Sequence, residues 1–300
     1  MTWLCRLALA GALLCPLAAA PGAEAPKSAA SPTKYTLRYK FRAGETVRWD
    51  VVHRASIRTT VSGTTQTAET LSKSVKLWRI QAVGEDGSIT LEHLVESVDM
   101  SQKLSGRQEV RYNSQKDQKA PLGFETVAAS VGKPLATVTI DPLGKVLKRQ
   151  RHDVPGQAAG EGQITIPLPE KAVAVGESWV VPCDIEVPVA AGAIKKIKAQ
   201  QRFTLSAVKT GVATIEVSTQ ILTPINDPAL EAQLVQRESA GTVRFAIEAG
   251  RVRGQQMDLD KQVVGFHGEA SSLHYVTRFT EELLPEQSQV ASPATTEVRK

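Results

Sequence analysis

Side chains that do chemistry are sparse in this chain, and their spacing builds no catalytic constellation. There are five histidines: His53, His93, His152, His267 and His274. No two stand at the i, i+4 spacing that puts paired zinc ligands on one helix face, and no His-x-His occurs, so no metal site is expected. His53 and His274 lie in strand patterns among polar neighbours, as solvated or sheet-facing histidines do. Nucleophile signals fail too, with neither a Gly-x-Ser-x-Gly elbow nor a helical Ser-x-x-Lys. Gly160-Glu-Gly162 lacks the spacing of a phosphate loop. Asp258-Leu-Asp260 sets two carboxylates on one strand face, a geometry for a cation or for glycoside cleavage. Lys261, Arg251 and Arg253 stand close by, and a solvated charged strand is the reading we adopt. Neither an enzyme nor a cofactor is expected.

Composition narrows the class further. Of 300 residues, 42% are hydrophobic, too many for a disordered chain. A balance of 36 Lys+Arg against 31 Asp+Glu is only mildly basic, and basic groups lack interleaved aromatics, so nucleic acid is not an expected partner. The basic groups are Lys145, Lys148, Arg149 and Arg151 with His152, and Lys195-Lys-Ile-Lys198. They suit solvated turns, or screened attraction to anionic envelope polymers or headgroups.

The first 25 residues carry an address. Arg6 precedes a Leu/Ala-rich run, Leu7 to Ala20, which gives way to small residues including Ala23-Glu24-Ala25. This is the layout of a secretory signal peptide, and the run is too short for a stop-transfer span. Lipidation at Cys15 is disfavoured by Leu14, where such sites need a small residue. Export to the periplasm or the exterior is therefore expected, with no transmembrane span in the mature chain. Cys5 and Cys15 would leave with the leader, and Cys183 would remain as a small, buried, apolar side chain. Residues 26–33 read as a disordered linker and 285–300 as a disordered tail.

Between them, 34–284 reads as a β-rich domain. Period-2 alternation marks Tyr35 to Phe41, Ile89 to Glu92, Ile215 to Val217, Val243 to Ile247 and Leu273 to Phe279, with bulk on both faces around Trp78. Gly84-Glu-Asp-Gly87, Asp141-Pro-Leu-Gly144 and Glu248-Ala-Gly250 punctuate these runs as turns. Helical spacing appears at Phe124, Val127, Ala128 and Val131, ending near Gly132, and Asp227-Pro228 caps a second candidate through Leu234. The fold class is mainly β: long antiparallel strands in a curved sheet or open half-barrel, with one or two short helices.

Three blocks recur in order. Gly44-Glu45-Thr46 before Trp49 returns as Gly176-Glu177-Ser178-Trp179, and each Trp lies an odd number of positions after its Gly, hence on the same strand face. The stretch Trp78 to Val83 followed by Gly87 to Glu92 returns as Phe203 to Val208 followed by Gly211 to Glu216. Thr137 to Ile140 with Gly144-Lys-Val146 returns as Thr242 to Phe245 with Gly250-Arg-Val252. Two related halves, about 34–150 and 164–284, are expected from this order. Leu37 to Trp49, Asp141 to Val146, Leu168 to Trp179 and Glu248 to Val252 resemble the recurrent blocks of an uncharacterised family of secreted bacterial proteins of unknown function. That resemblance implies no catalytic residue. At the level of fold alone, the architecture is similar to the half-barrels of periplasmic lipoprotein carriers.

A curved sheet with a helix across it, the obvious one being Phe124 to Val131 over Trp49 and Trp179, makes an apolar cavity, for which Tyr39, Phe41, Trp49, Trp78, Trp179 and Phe203 are the candidate lining. The same aromatics would equally fill a solid core. The expected function is that of an exported, non-enzymatic binding protein for a hydrophobic or lipid ligand. Its alternative is a structural or interaction protein of the cell envelope with no small-molecule ligand. Export is checked by N-terminal sequencing of the secreted species, which should begin between residues 20 and 26. An intact Met1 on a cytosolic protein contradicts it.

Overall fold

The computed structural model describes residues 32–154, 163–188 and 193–286. The expected leader, most of the expected linker and tail, and Gly160-Glu161-Gly162 lie outside these residues.

Alternating sequence becomes long antiparallel strands. In chain order these are β1 (Lys34–Tyr35), β2 (Thr46–Val61), β3 (Thr64–Val83), β4 (Ile89–Leu104), β5 (Val110–Asn113), β6 (Pro134–Ile140) and β7 (Val146–Arg151). They continue as β8 (Val173–Ala174), β9 (Ser178–Pro188), β10 (Ile194–Lys209), β11 (Val212–Ile221), β12 (Ala240–Ala246), β13 (Arg251–Val264) and β14 (Ser272–Leu283). Twelve strands form one sheet in the order β7-β6-β4-β3-β2-β14-β13-β12-β11-β10-β9, with β5 on β4. The sheet is not closed into a barrel, and β7 and β9 are its edges. Edge strands need protection against pairing with other chains. Lys148, Arg149 and Arg151 stand on β7, and Pro182 and Pro188 interrupt the donors of β9.

The recurrent blocks fall at matching places in the topology. The meander β2-β3-β4-β6-β7 runs across the sheet in the same sense as β9-β10-β11-β12-β13. Strand β14 lies between them, paired to β2 from Ser272↔Thr60 to Leu283↔Trp49 and to β13 from Gly254↔Glu282 to Val264↔Ser272. Matching turns are bonded alike. Gly44 N–H donates to Ile80 and Gly176 N–H to Leu205, while the carboxylates of Glu45 and Glu177 each accept from a backbone N–H three residues earlier. Both glycines take positive φ, 82° and 91°, which favours glycine.

Both helices form where the spacing puts them. α1 (Glu125–Ser130) follows Phe124, and Gly132 ends the turn by donating its N–H to Val95. α2 (Pro228–Leu234) is capped by the Asp227 carboxylate, which accepts from Ala229 N–H at 2.9 Å. Each lies in the connection between corresponding strands, β4 to β6 and β11 to β12. Leu230 and Leu234 of α2 pack with Val187 and Ile197, and the following turn sets Val235 against Leu259, Val263 and Tyr275. α1 packs with Val98, Tyr112 and Phe124 over β4 and β5.

One sequence expectation is corrected here. Tyr35 to Phe41 alternates like a strand, and Leu37, Tyr39 and Phe41 are indeed buried. Only Lys34–Tyr35 joins a ladder, a two-stranded one with β8. The rest runs extended across the face of the large sheet, its backbone satisfied by turns instead. Tyr39 N–H donates to Pro142 and Lys40 N–H to Gly250, carbonyls in the matching β6–β7 and β12–β13 turns. Alternation reports burial of one side, and here the bonding partners are turns rather than a neighbouring strand.

Tight packing at one of those turns fixes the crossing. Gly144 has φ 84°, and a Cβ there would lie 2.6 Å from a Tyr39 ring carbon and 2.7 Å from the Ile166 carbonyl oxygen. Gly144→Ala is expected to destabilise the protein by roughly 2–3 kcal/mol through strain and collision. Denaturant unfolding checks this, and an unchanged midpoint contradicts it.

Candidate functional site

Register settles which residues share a face. Trp179 opposes Phe203, Phe203 opposes Val217, and the row continues through Gly241, Met257 and Phe279 to His53 on β2, four residues along from Trp49. Trp49 and Trp179 therefore project from the same side. That side is covered at three places. α2 and its turn cover one end, α1 covers the β4–β5 flank, and the extended segments around Tyr39 and Ile166 cover the aromatic end. The helix at Phe124 to Val131, the sequence-based candidate for roofing the two tryptophans, lies on the flank. The extended segments roof them instead.

Beneath that roof is a cavity of about 420 Å³. Tyr39, Phe41, Trp49, Trp78 and Phe203 line it, together with Val51, Val95, Ile164, Ile166, Val217, Val252, Met257 and Phe279. Trp179, the sixth candidate, stands beside it rather than in it. It stacks on Phe203 with centroids 5.5 Å apart and donates its indole N–H to the Pro167 carbonyl. The aromatics also brace each other edge to face, Trp49 on Trp78 at 4.8 Å, Phe41 on Trp78 at 5.9 Å and Tyr39 on Phe245 at 5.5 Å. Each such contact contributes about 0.5–1.5 kcal/mol beyond burial. They are core and wall together: Trp49 is 1% exposed and Trp78 2%.

The cavity also has a polar end that sequence reasoning missed. Lys76 on β3 pairs with Glu281 on β14, and Gln255 on β13 donates to the other carboxylate oxygen at 2.9 Å. The Lys76 ammonium lies over the Trp49 ring at 4.5 Å and near Trp78 at 5.1 Å. Burial pulls the Lys76 pKa down, against the opposing attraction of Glu281. His93 also lines the cavity, and its pKa is pushed down to about 4, chiefly by burial and further by Lys76 and Arg149. Burial raises the Tyr39 phenol, whose oxygen accepts from Ile166 N–H at 3.1 Å and whose proton reaches the Ile166 carbonyl at 3.2 Å. A signal for Glu281 was present, since its neighbours two residues away, Phe279 and Leu283, are both apolar, whereas Lys76 has Trp78 on one side and Ser74 on the other.

The remaining candidates are placed plainly. Asp258 is bonded to Arg278 and Gln256, and Asp260 to His274, as befits a solvated charged strand. His53 bonds Thr277 at 2.8 Å, and His152 bonds Thr137. Cys183 is half-buried rather than fully buried, and burial raises its thiol pKa first, then Asp184. Among the described residues no group of three His, Cys, Asp or Glu is placed to hold a metal ion, and no helix is long and apolar enough to cross a membrane.

Residues 161–254 match the model of a family of unknown function, DUF6263. That stretch spans β8 to the start of β13, so the match covers the second meander with Trp179 and Phe203 in it. No curated protein matches the chain.

Two measurements follow from the polar end. A His held neutral when folded but free to charge when unfolded stabilises the fold above its unfolded pKa and loses that contribution as pH falls. Stability should therefore decline from pH 6.5 towards about 4, and His93→Gln should flatten this limb. His53, also lowered by burial, leaves a smaller residual slope. Lys76→Met, which strands Glu281 uncompensated, should cost about 3–5 kcal/mol. Denaturant titrations across pH check both, and a His93→Gln limb as steep as the parent's contradicts the first.

Proposed function

We propose that this chain is an exported, non-enzymatic binding protein that takes a hydrophobic or lipid ligand in the concave cavity. The observation that carries the reading is a space of about 420 Å³ beneath two extended segments, lined by aromatic and aliphatic side chains together with polar ones such as Gln201, Thr219 and the Lys76–Glu281 pair. Ligand sites run from about 300 to 1,000 Å³, apolar with a few convergent polar groups, and this cavity fits that description. An acyl chain gains about 0.8 kcal/mol per buried CH₂, so ten carbons leave a useful surplus after ordering costs. Periplasmic or extracellular placement rests on the leader-like run Leu7 to Ala20, and the comparison with lipoprotein-carrier half-barrels is an analogy of architecture alone. Duplication of one five-stranded unit accounts for both the recurrent blocks and the matching meanders.

An envelope structural or interaction protein is the second reading, favoured by the near-complete burial of Trp49, Trp78 and Phe203, which brace a core whether or not a ligand enters. Tryptophan emission separates the two. Addition of a fatty acid or dispersed phospholipid should shift emission to the blue, and Trp49→Ala should weaken the response. Emission already blue and indifferent to lipid would remove the binding reading and leave the structural one.

A further inference from the structure

The polar end of the cavity has a definite chemical bias. Lys76 and Glu281 form a pair whose charges cancel, with side chains 15% and 4% exposed. Both carboxylate oxygens are engaged, one by Lys76 and one by Gln255. The ring faces that would receive a ligand cation, those of Trp49 and Trp78, already carry the Lys76 ammonium. What is left unfilled at this end is donor capacity on the Lys76 ammonium. Lys76 has three N–H donors to place and one carboxylate on which to place them.

We infer that the cavity selects acyl ligands whose polar end is an uncharged hydrogen-bond acceptor, an ester carbonyl, over those ending in a carboxylate or an ammonium. The inference rests on the binding reading above and names the ligand class for that site. A second carboxylate would compete with Glu281 for Lys76 and leave one anion uncompensated beside a largely buried pair, which is costly. A cation would meet Lys76 and find the Trp49 and Trp78 faces taken. A plain hydrocarbon would bury the same chain but leave the spare Lys76 donors unmet. An ester carbonyl accepts a hydrogen bond and adds no charge.

The test uses four probes of one chain length on the full-length protein at neutral pH: methyl decanoate, decanoate, decylammonium and decane, followed by tryptophan emission. Methyl decanoate should bind most tightly, with decanoate and decylammonium each weaker by about tenfold or more. Glu281→Gln keeps the shape and a Lys76 acceptor but leaves the ammonium charge uncompensated, so decanoate should rise to equal or exceed methyl decanoate. If that variant does not fold, the ranking in the unaltered protein decides alone. Decanoate binding as tightly as its ester in the unaltered protein, or a ranking unchanged in folded Glu281→Gln, overturns the inference. Equal binding of all four overturns it while sparing the apolar-cavity reading, and binding of none overturns both.

Discussion

Everything on the concave side depends on β14 being hydrogen-bonded along both of its edges. Two five-stranded meanders, each able to satisfy its own interior ladders, share no direct strand pairing in the large sheet. Ser272 to Leu283 supplies it, pairing with β2 on one side and β13 on the other. Because side chains alternate, the same strand delivers Tyr275, Phe279, Glu281 and Leu283 to the concave side. The seam is thus both the backbone link and the floor of the cavity. Lys76 from one meander and Gln255 from the other converge on Glu281 of the seam strand, so one carboxylate is held by both halves.

The roof is joined to that floor by an economy of turns. A single extended stretch, Tyr39-Lys40, places its N–H groups on the β6–β7 turn and the β12–β13 turn, one from each meander. Corner residues are constrained accordingly. Gly144 leaves room for the Tyr39 ring, and Trp49 Nε1 donates to the Val252 carbonyl at 3.1 Å, tying the wall to the bulged start of β13. Removing water from such a site strengthens each polar contact inside it, and it raises the cost of any contact left unmade.

How much of this was legible from the residues follows from the range of each signal. Local signals are legible: the spacing of α1 and its end at Gly132, the Asp227 cap of α2, the Gly-bearing turns, the alternation of β4, β11 and β14. The odd offsets of Trp49 and Trp179 from their glycines put both on one face, as the register bears out. Alternation at Leu37 to Phe41 misled, because burial of every second residue does not reveal whether the backbone finds a strand or two turns. Lys76 and Glu281 were passed over because each reads alone as a strand charge. Only pairing across β2, between residues 205 apart, makes them partners, and no local pattern encodes that. The order of strands is equally non-local, since β2 and β14 stand at opposite ends of the domain in sequence yet adjacent in space.

That separation has a kinetic side. A ribosome delivers β2 early and β14 last, so the contact between His53 and Thr277, 224 positions apart, waits for nearly the whole domain to be made. Loop closure over such a distance is entropically slow, and until it happens β2 and β13 are both exposed edges open to wrong partners. The meanders can mature as local units, but the cavity does not exist until the final strand inserts. Such a chain stays unfinished for as long as its C-terminal portion is withheld, and its cavity appears all at once.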